Sequence, residues 1–137
     1  MILTDTGPLV GLLDRNDPYH EICKKAASDL PSGFMLTTWP CLTEAMYLLG
    51  RAGGPAAQSS LWKLVNEGLL LIWDAPSAGS LRRMSELMEK YRDLPMDLAD
   101  ASLIVAAEVT GNRRLFSLDG DFRVYRCADG TAIEVVP

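Results

Sequence analysis

Short apolar runs alternate with longer stretches of helical periodicity from one end of the chain to the other. Met1–Asp5 reads as a buried strand, and Gly7–Leu13 as a short helix with Asp5 or Thr6 near its N-cap and Pro8 in its first turn. Asp17-Pro18 is expected to open a second helix running to about Asp29, with Asp17 as cap and Pro18 at the first helical position. Phe34–Thr37 is the next strand. Trp39-Pro40 then opens a helix to about Leu49, closed by Gly50 and the Gly53-Gly54-Pro55 break. Ala56–Glu67 is helical and stops at Gly68, before the continuous apolar strand Leu69–Trp73. A helix begins at Ser77 or Ser80 and runs through about Tyr91; another, Leu98–Val109, ends at Gly111. Arg114–Ser117 and Ala132–Val136 complete the strands.

Strand–helix alternation of this kind predicts an α/β fold, a three-layer α/β/α sandwich around a central parallel sheet of four to five strands. No repeat, linker or low-complexity segment interrupts it, so residues 1–137 are read as one domain. In such sheets ligands bind beyond the carboxyl ends of the strands.

Five carboxylates interrupt the apolar pattern: Asp5, Glu44, Asp97, Asp100 and Asp119. Asp5 ends the first strand, Asp119 follows the fourth, and Asp97 and Asp100 open the helix that leads into it. The topology therefore draws four acids to one edge. Glu44 shares a helical stripe with Cys41, Ala45 and Leu48 and is expected to face inward. Asp100 is a poor helix former, one turn inside a helix with no further charge until Glu108. The i, i+3 spacing puts Asp97 and Asp100 on the same side. A carboxylate removed from water costs several kcal/mol unless something pairs with it. None of the 13 Lys and Arg residues lies in these stretches, so a hard divalent cation on oxygen ligands is the expected partner.

Composition narrows the chemistry further. A net charge of −5 counts against a protein that coats nucleic acid non-specifically. It counts less against a nuclease, because bound divalent ions offset charge at the site itself. Three cysteines without a CxxC pair favour a reducing cytoplasm, and the lack of a basic leader or a long apolar run predicts neither secretion nor a membrane span. His20 is the single histidine and is read as a surface residue; one histidine and scattered cysteines do not make a zinc site. Asp5-Thr6-Gly7 matches the aspartic-protease tripeptide, but that chemistry needs two such aspartates, normally on an all-β scaffold. Trp39, beside the helix that carries Glu44, is a candidate for base stacking.

The pattern resembles the PIN-domain ribonucleases, and most closely the VapC-type toxins of bacterial toxin–antitoxin pairs. The resemblance is carried by Leu3-Thr-Asp5-Thr-Gly-Pro-Leu9, Leu42-Thr-Glu44-Ala45, Met96-Asp97-Leu-Ala-Asp100-Ala-Ser-Leu-Ile104 and Leu118-Asp119-Gly-Asp121-Phe122, and spans nearly the whole chain. It implies an acidic quartet of Asp5, Glu44, Asp100 and Asp119 around Mg2+ or Mn2+. Asp97 matches an additional acid of one branch, and Asp121 could substitute for Asp119. Asp5 and Asp100 would hold the main ion, while Thr6 and Ser117 would position water or phosphate. The implied activity is metal-dependent endoribonuclease cleavage of single-stranded or looped RNA. The implied partner is an antitoxin whose short segment covers the acid cleft. A homodimer through Leu48-Leu49 and Leu61–Leu64 is expected. Two other readings are a non-catalytic binding module on the same scaffold and a receiver-like phosphoacceptor domain using Asp74.

Overall fold

A computed structural model describes residues 1–74 and 77–137. The elements in chain order are β1 (Ile2–Thr4), α1 (Thr6–Leu13), α2 (His20–Asp29), β2 (Met35–Thr38), α3 (Trp39–Asn66), β3 (Leu70–Trp73), α4 (Ala78–Lys90), α5 (Leu98–Thr110), β4 (Arg114–Phe116) and β5 (Glu134–Val136), with a 3-10 turn at Gly120–Arg123. The strands form one all-parallel sheet in the order β3-β2-β1-β4-β5.

Period-2 alternation distributes each strand between two layers. Leu3, Leu36 and Leu115 face a core completed by α4 and α5, whereas Ile2, Met35, Leu70 and Phe116 face α1, α2 and α3. Helix α5 is the spine of the first layer. Every residue from Ala99 to Ala107 is buried, which explains why the helix carries no charge between Asp100 and Glu108. Leu103 and Ile104 are each 1% exposed, and each such burial is worth about 1.5–3 kcal/mol. Gly111 ends α5 in the left-handed conformation, φ 73°. Ser77 caps α4 by accepting the Ser80 N–H at 3.1 Å.

Four expectations change. Helix α2 starts at His20, because the Asp17 side chain accepts the Tyr19 N–H at 2.8 Å and closes a turn rather than a helix cap. Nor is His20 a plain surface side chain, since its Nδ1 lies 2.7 Å from the Gly11 carbonyl. The α3 region is not closed at Gly50. It continues to Gly54, where φ of 66° makes a kink, and Pro55 starts the second segment. Gly50 lies inside the helix beside the Gln58 side chain, whose Nε2 would be 2.5 Å from a Cβ there. Finally, Leu49 and Leu61 are both 0% exposed in the core between α1, α3 and β3, so they cannot form an exposed dimer face. Of that expected surface, Leu48 is exposed, as is Trp62 next to Leu61.

Sheet order also bears on the receiver-like reading. A receiver sheet places its third strand beside the first, in the order 2-1-3-4-5. Here β3 is an edge strand with β2 between it and β1, so Asp74 stands exposed and remote from Asp5.

Candidate active site

The parallel register places β1 beside β4, pairing Thr4 with Phe116, so Asp5 and Ser117 leave the sheet side by side. The ladder extends one step further, with Asp5 N donating to Phe116 O at 2.9 Å. Asp5 then caps α1, its Oδ1 accepting the Thr6 N–H at 2.7 Å, while its Oδ2 accepts from Ser117 Oγ at 2.8 Å. The same Ser117 oxygen accepts the Asp119 N–H at 3.0 Å. Asp119 in turn caps the 3-10 turn through the Asp121 N–H at 2.9 Å.

Asp100 arrives from the other layer. The N-terminus of α5 is fixed by a capping box, with Asp97 Oδ1 accepting the Asp100 N–H at 2.8 Å and Asp100 Oδ2 receiving the Asp97 N–H at 3.4 Å. Ser102, one residue into the next turn, is 2.6 Å from Thr38 Oγ1 at the end of β2, which ties the helix to the sheet edge. The positive end of α5 favours both carboxylates.

A further residue holds Asp100, and the sequence reading did not find it. Tyr125 is 0% exposed and donates its hydroxyl to Asp100 Oδ2 at 3.2 Å. Its ring packs 5.0 Å from Tyr91 and edge-on to Phe122 at 5.3 Å. Its backbone N–H donates to Asp121 O, so the turn capped by Asp119 also delivers the donor to Asp100. The signal in the sequence was the Phe122–Tyr125 spacing of apolar rings directly after the Asp119 turn.

Burial separates the five acids. Asp5 and Asp100 are 9% and 8% exposed, and Asp119 is half-buried. Glu44 and Asp97 are exposed, which corrects the inward placement expected for Glu44. The buried stripe of α3 is Cys41, Leu42, Ala45 and Leu49; Glu44 lies at its border and receives the Thr6 hydroxyl at 3.3 Å. Ser117 thus directs its hydroxyl at a carboxylate, while the Thr6 hydroxyl lies 3.3 Å from both Glu44 and the Cys41 carbonyl; both residues are buried.

One electrostatic field joins the five. Burial pushes Asp5 above its ordinary value, and the charges of Asp119 and Glu44 push it further against the Ser117 and Thr6 hydrogen bonds. Asp100 is pushed up to about 7 by burial and then by Asp97, with Asp5 and Asp119 adding to the repulsion. Cys41, 3.8 Å from Asp5 Oδ1, is raised to about 12 by burial and the Asp5 charge and stays a neutral thiol. Among the described residues, none of the five acids forms an ion pair.

The donor set fits a hard divalent cation: oxygens only, two of them on buried carboxylates, with no internal base to neutralise them. As the side chains stand, each buried carboxylate is turned toward local donors. No three His, Cys, Asp or Glu side chains among the described residues are close enough to ligate one ion. Ligation therefore requires rotation of exposed members such as Glu44 and Asp97, or of Asp119, toward the Asp5–Asp100 pair. A hollow of about 360 Å3 lined by Asp5, Asp17, Tyr19, Leu48 and Asp119 opens over the site.

No family model matches the chain, and no curated protein sequence matches it. Solved structures do. VapC20 of Mycobacterium tuberculosis, described as a sarcin-ricin loop cleaving toxin, matches with a TM-score of 0.82 at 20% identity over 100% of both chains. VapBC2 of Rickettsia felis, solved with a DNA fragment from its promoter, matches at TM-score 0.60 and 16% identity over 100% of both chains. FitAcB of Neisseria gonorrhoeae matches at TM-score 0.60 and 17% identity, over 87% of this chain and 88% of that one. At these identities the likeness is one of fold, and the chain has the PIN-like three-layer α/β/α architecture.

Proposed function

We propose that this chain is a metal-dependent endoribonuclease of the VapC toxin type, cleaving RNA phosphodiester bonds at the Asp5–Asp100 cleft. The supporting observation is the pair of buried carboxylates, delivered by different layers and both pushed above their ordinary values by burial and neighbouring acids, with no cationic partner among the described residues. VapC20, which has the same architecture over its full length, is described as a sarcin-ricin loop cleaving toxin. Mg2+ or Mn2+ at this cleft would activate water and offset charge developing on the phosphate.

The protein's own contribution is orientation. Ser117 and the Thr6 N–H fix both oxygens of Asp5. Tyr125 and the capping box fix Asp100. Glu44 and Asp119, on the more open side, have the freedom to complete the ligand set or to accept a proton from attacking water. Thr6 and Ser117 hold the carboxylates and reach water or phosphate only through them. Single-stranded or looped RNA is the proposed substrate, because unpaired backbone enters an open cleft that a duplex cannot.

An antitoxin whose short segment covers the acid cleft is the proposed partner. A homodimer using Leu48 and Trp62 is proposed in place of the leucines that the core consumes. No helix among the described residues is long and apolar enough to cross a membrane, and the three cysteines are free and buried. A cytoplasmic setting is the proposal consistent with those thiols.

The test is cleavage of a panel of structured RNAs with Mg2+, with and without EDTA. Activity should vanish with EDTA and in Asp5→Asn and Asp100→Asn. Metal binding without cleavage of any RNA would favour the non-catalytic module instead.

A further inference from the structure

The cleft presents a physical difficulty. It concentrates carboxylates, and the whole chain carries a net charge of −5, so long-range attraction contributes little to holding a polyanion. Binding must come from contacts that do not depend on charge, or from a cation held away from the acids. Both are present on one stripe of α3. Trp39, Thr43, Tyr47 and Arg51 follow at intervals of four residues. The rings of Trp39 and Tyr47 are 49% and 61% exposed. They line an open hollow of about 640 Å3 with Pro40, Thr43, Glu44 and Leu98. Glu44 belongs at once to this hollow and to the acid site, through its hydrogen bond from Thr6. At the far end the Arg51 guanidinium lies 6.0 Å from the Tyr47 ring centroid, and Arg51 forms no ion pair among the described residues.

We propose that Trp39, Tyr47 and Arg51 form a docking rail for single-stranded RNA, in which the two rings stack nucleobases and Arg51 meets a phosphate. The inference rests on the nuclease reading and specifies how its substrate is held. By the rise of the helix, the two rings are separated by about 12 Å along the axis. They therefore receive different bases and leave the intervening backbone facing Glu44. Stacking is tolerant of base identity because every base has a π-face, so the rail sets strand polarity and register rather than sequence. Arg51 distinguishes this occupant from an apolar protein segment: a nucleotide satisfies the cation and the rings together, while an apolar segment leaves the guanidinium unpartnered.

The experiment uses the full chain in two arms. In the first, intrinsic fluorescence of the Asp100→Asn protein is titrated with an oligoadenylate hexamer and with an abasic ribose-phosphate hexamer. The oligoadenylate should quench and the abasic hexamer should not, and Trp39→Phe should remove most of the quench. In the second, Tyr47→Ala and Trp39→Ala should raise KM for a cleaved RNA by about 5- to 100-fold, with the loss in KM rather than kcat. Tyr47→Ala keeps this arm valid where Trp39→Ala disturbs the pocket it shares with Trp73 and Leu81. Equal binding of the abasic hexamer, or wild-type KM in Tyr47→Ala, overturns the rail and assigns the hollow to a protein segment. If the hexamer binds and quenches but no RNA is cleaved, the rail stands and the nuclease reading fails. If cleavage is sensitive to Asp5→Asn but indifferent to Tyr47→Ala, the reverse holds.

Discussion

Replacing Asp100 by Asn should make the metal-free protein more stable while removing the proposed activity, and the gain should depend on pH in a defined way. Asp100 titrates near 7 in the folded chain against an ordinary 3.8. An acid whose folded pKa is raised favours folding most at low pH, and that contribution is lost as pH rises through the folded value. The full gap corresponds to about 4 kcal/mol at 1.36 kcal/mol per pH unit. Coupling to Asp97 and water entering the open cleft reduce this to about 1–3 kcal/mol. Asn keeps an acceptor for the Tyr125 hydroxyl and for the Asp97 N–H, and its amide can donate toward the neighbouring acids. Urea denaturation in EDTA should therefore show a gain for Asp100→Asn that is near zero at pH 4 and grows to its full size above pH 7. A variant less stable than wild type at pH 8, or a gain independent of pH, would refute the like-charge cluster at this position.

Tyr125→Phe preserves the ring packing but strips Asp100 of its hydroxyl donor; it should cost about 1–2 kcal/mol in denaturation and shift the acidic limb of the activity profile upward in pH. A double-mutant cycle with Asp100→Asn should show the two stability changes to be coupled. Ser117→Ala removes the donor to Asp5 and the acceptor for Asp119 N together; kcat should fall by about 10- to 100-fold, a scale typical of lost supporting contacts at metal sites, with far-UV circular dichroism unchanged. Leu103→Ala hollows the fully buried spine of α5 and should destabilise by about 2–5 kcal/mol in urea, since the surrounding helices relax only partly.

What was legible in the sequence was whatever local chemistry decides. The apolar runs gave the strands, the charge-free stretch after Asp100 identified the central helix, and Asp5 and Asp100 stood out because acids rarely sit in such stretches. Strand order was not legible. Nothing in Leu69–Trp73 distinguishes an edge strand from a central one, yet Leu71 is 41% exposed on that edge. Glu44 was misplaced because a helical stripe read by period alone is uncertain by about one position, or roughly 100° of rotation. The start of α2 was misread because Asp-Pro signals a turn as readily as a cap. Tyr125 was missed as a site residue because the ring spacing after Asp119 signals packing, whereas its role depends on a contact with Asp100, 25 residues away. A further two-residue step, Asp119 to Asp121, was read as a turn and is one, but its importance lies in linking Asp119 to the Asp100 clamp.

Calorimetric titration of the wild-type chain with Mn2+, set beside Asp5→Asn and Asp100→Asn, tests the central claim most directly. The wild type should bind with proton release at neutral pH, because Asp100 must ionise to ligate, and each substitution should weaken binding at least about 10-fold. Undetectable binding by the wild type, or equal binding by all three proteins, would contradict the claim that these carboxylates converge to hold a divalent ion.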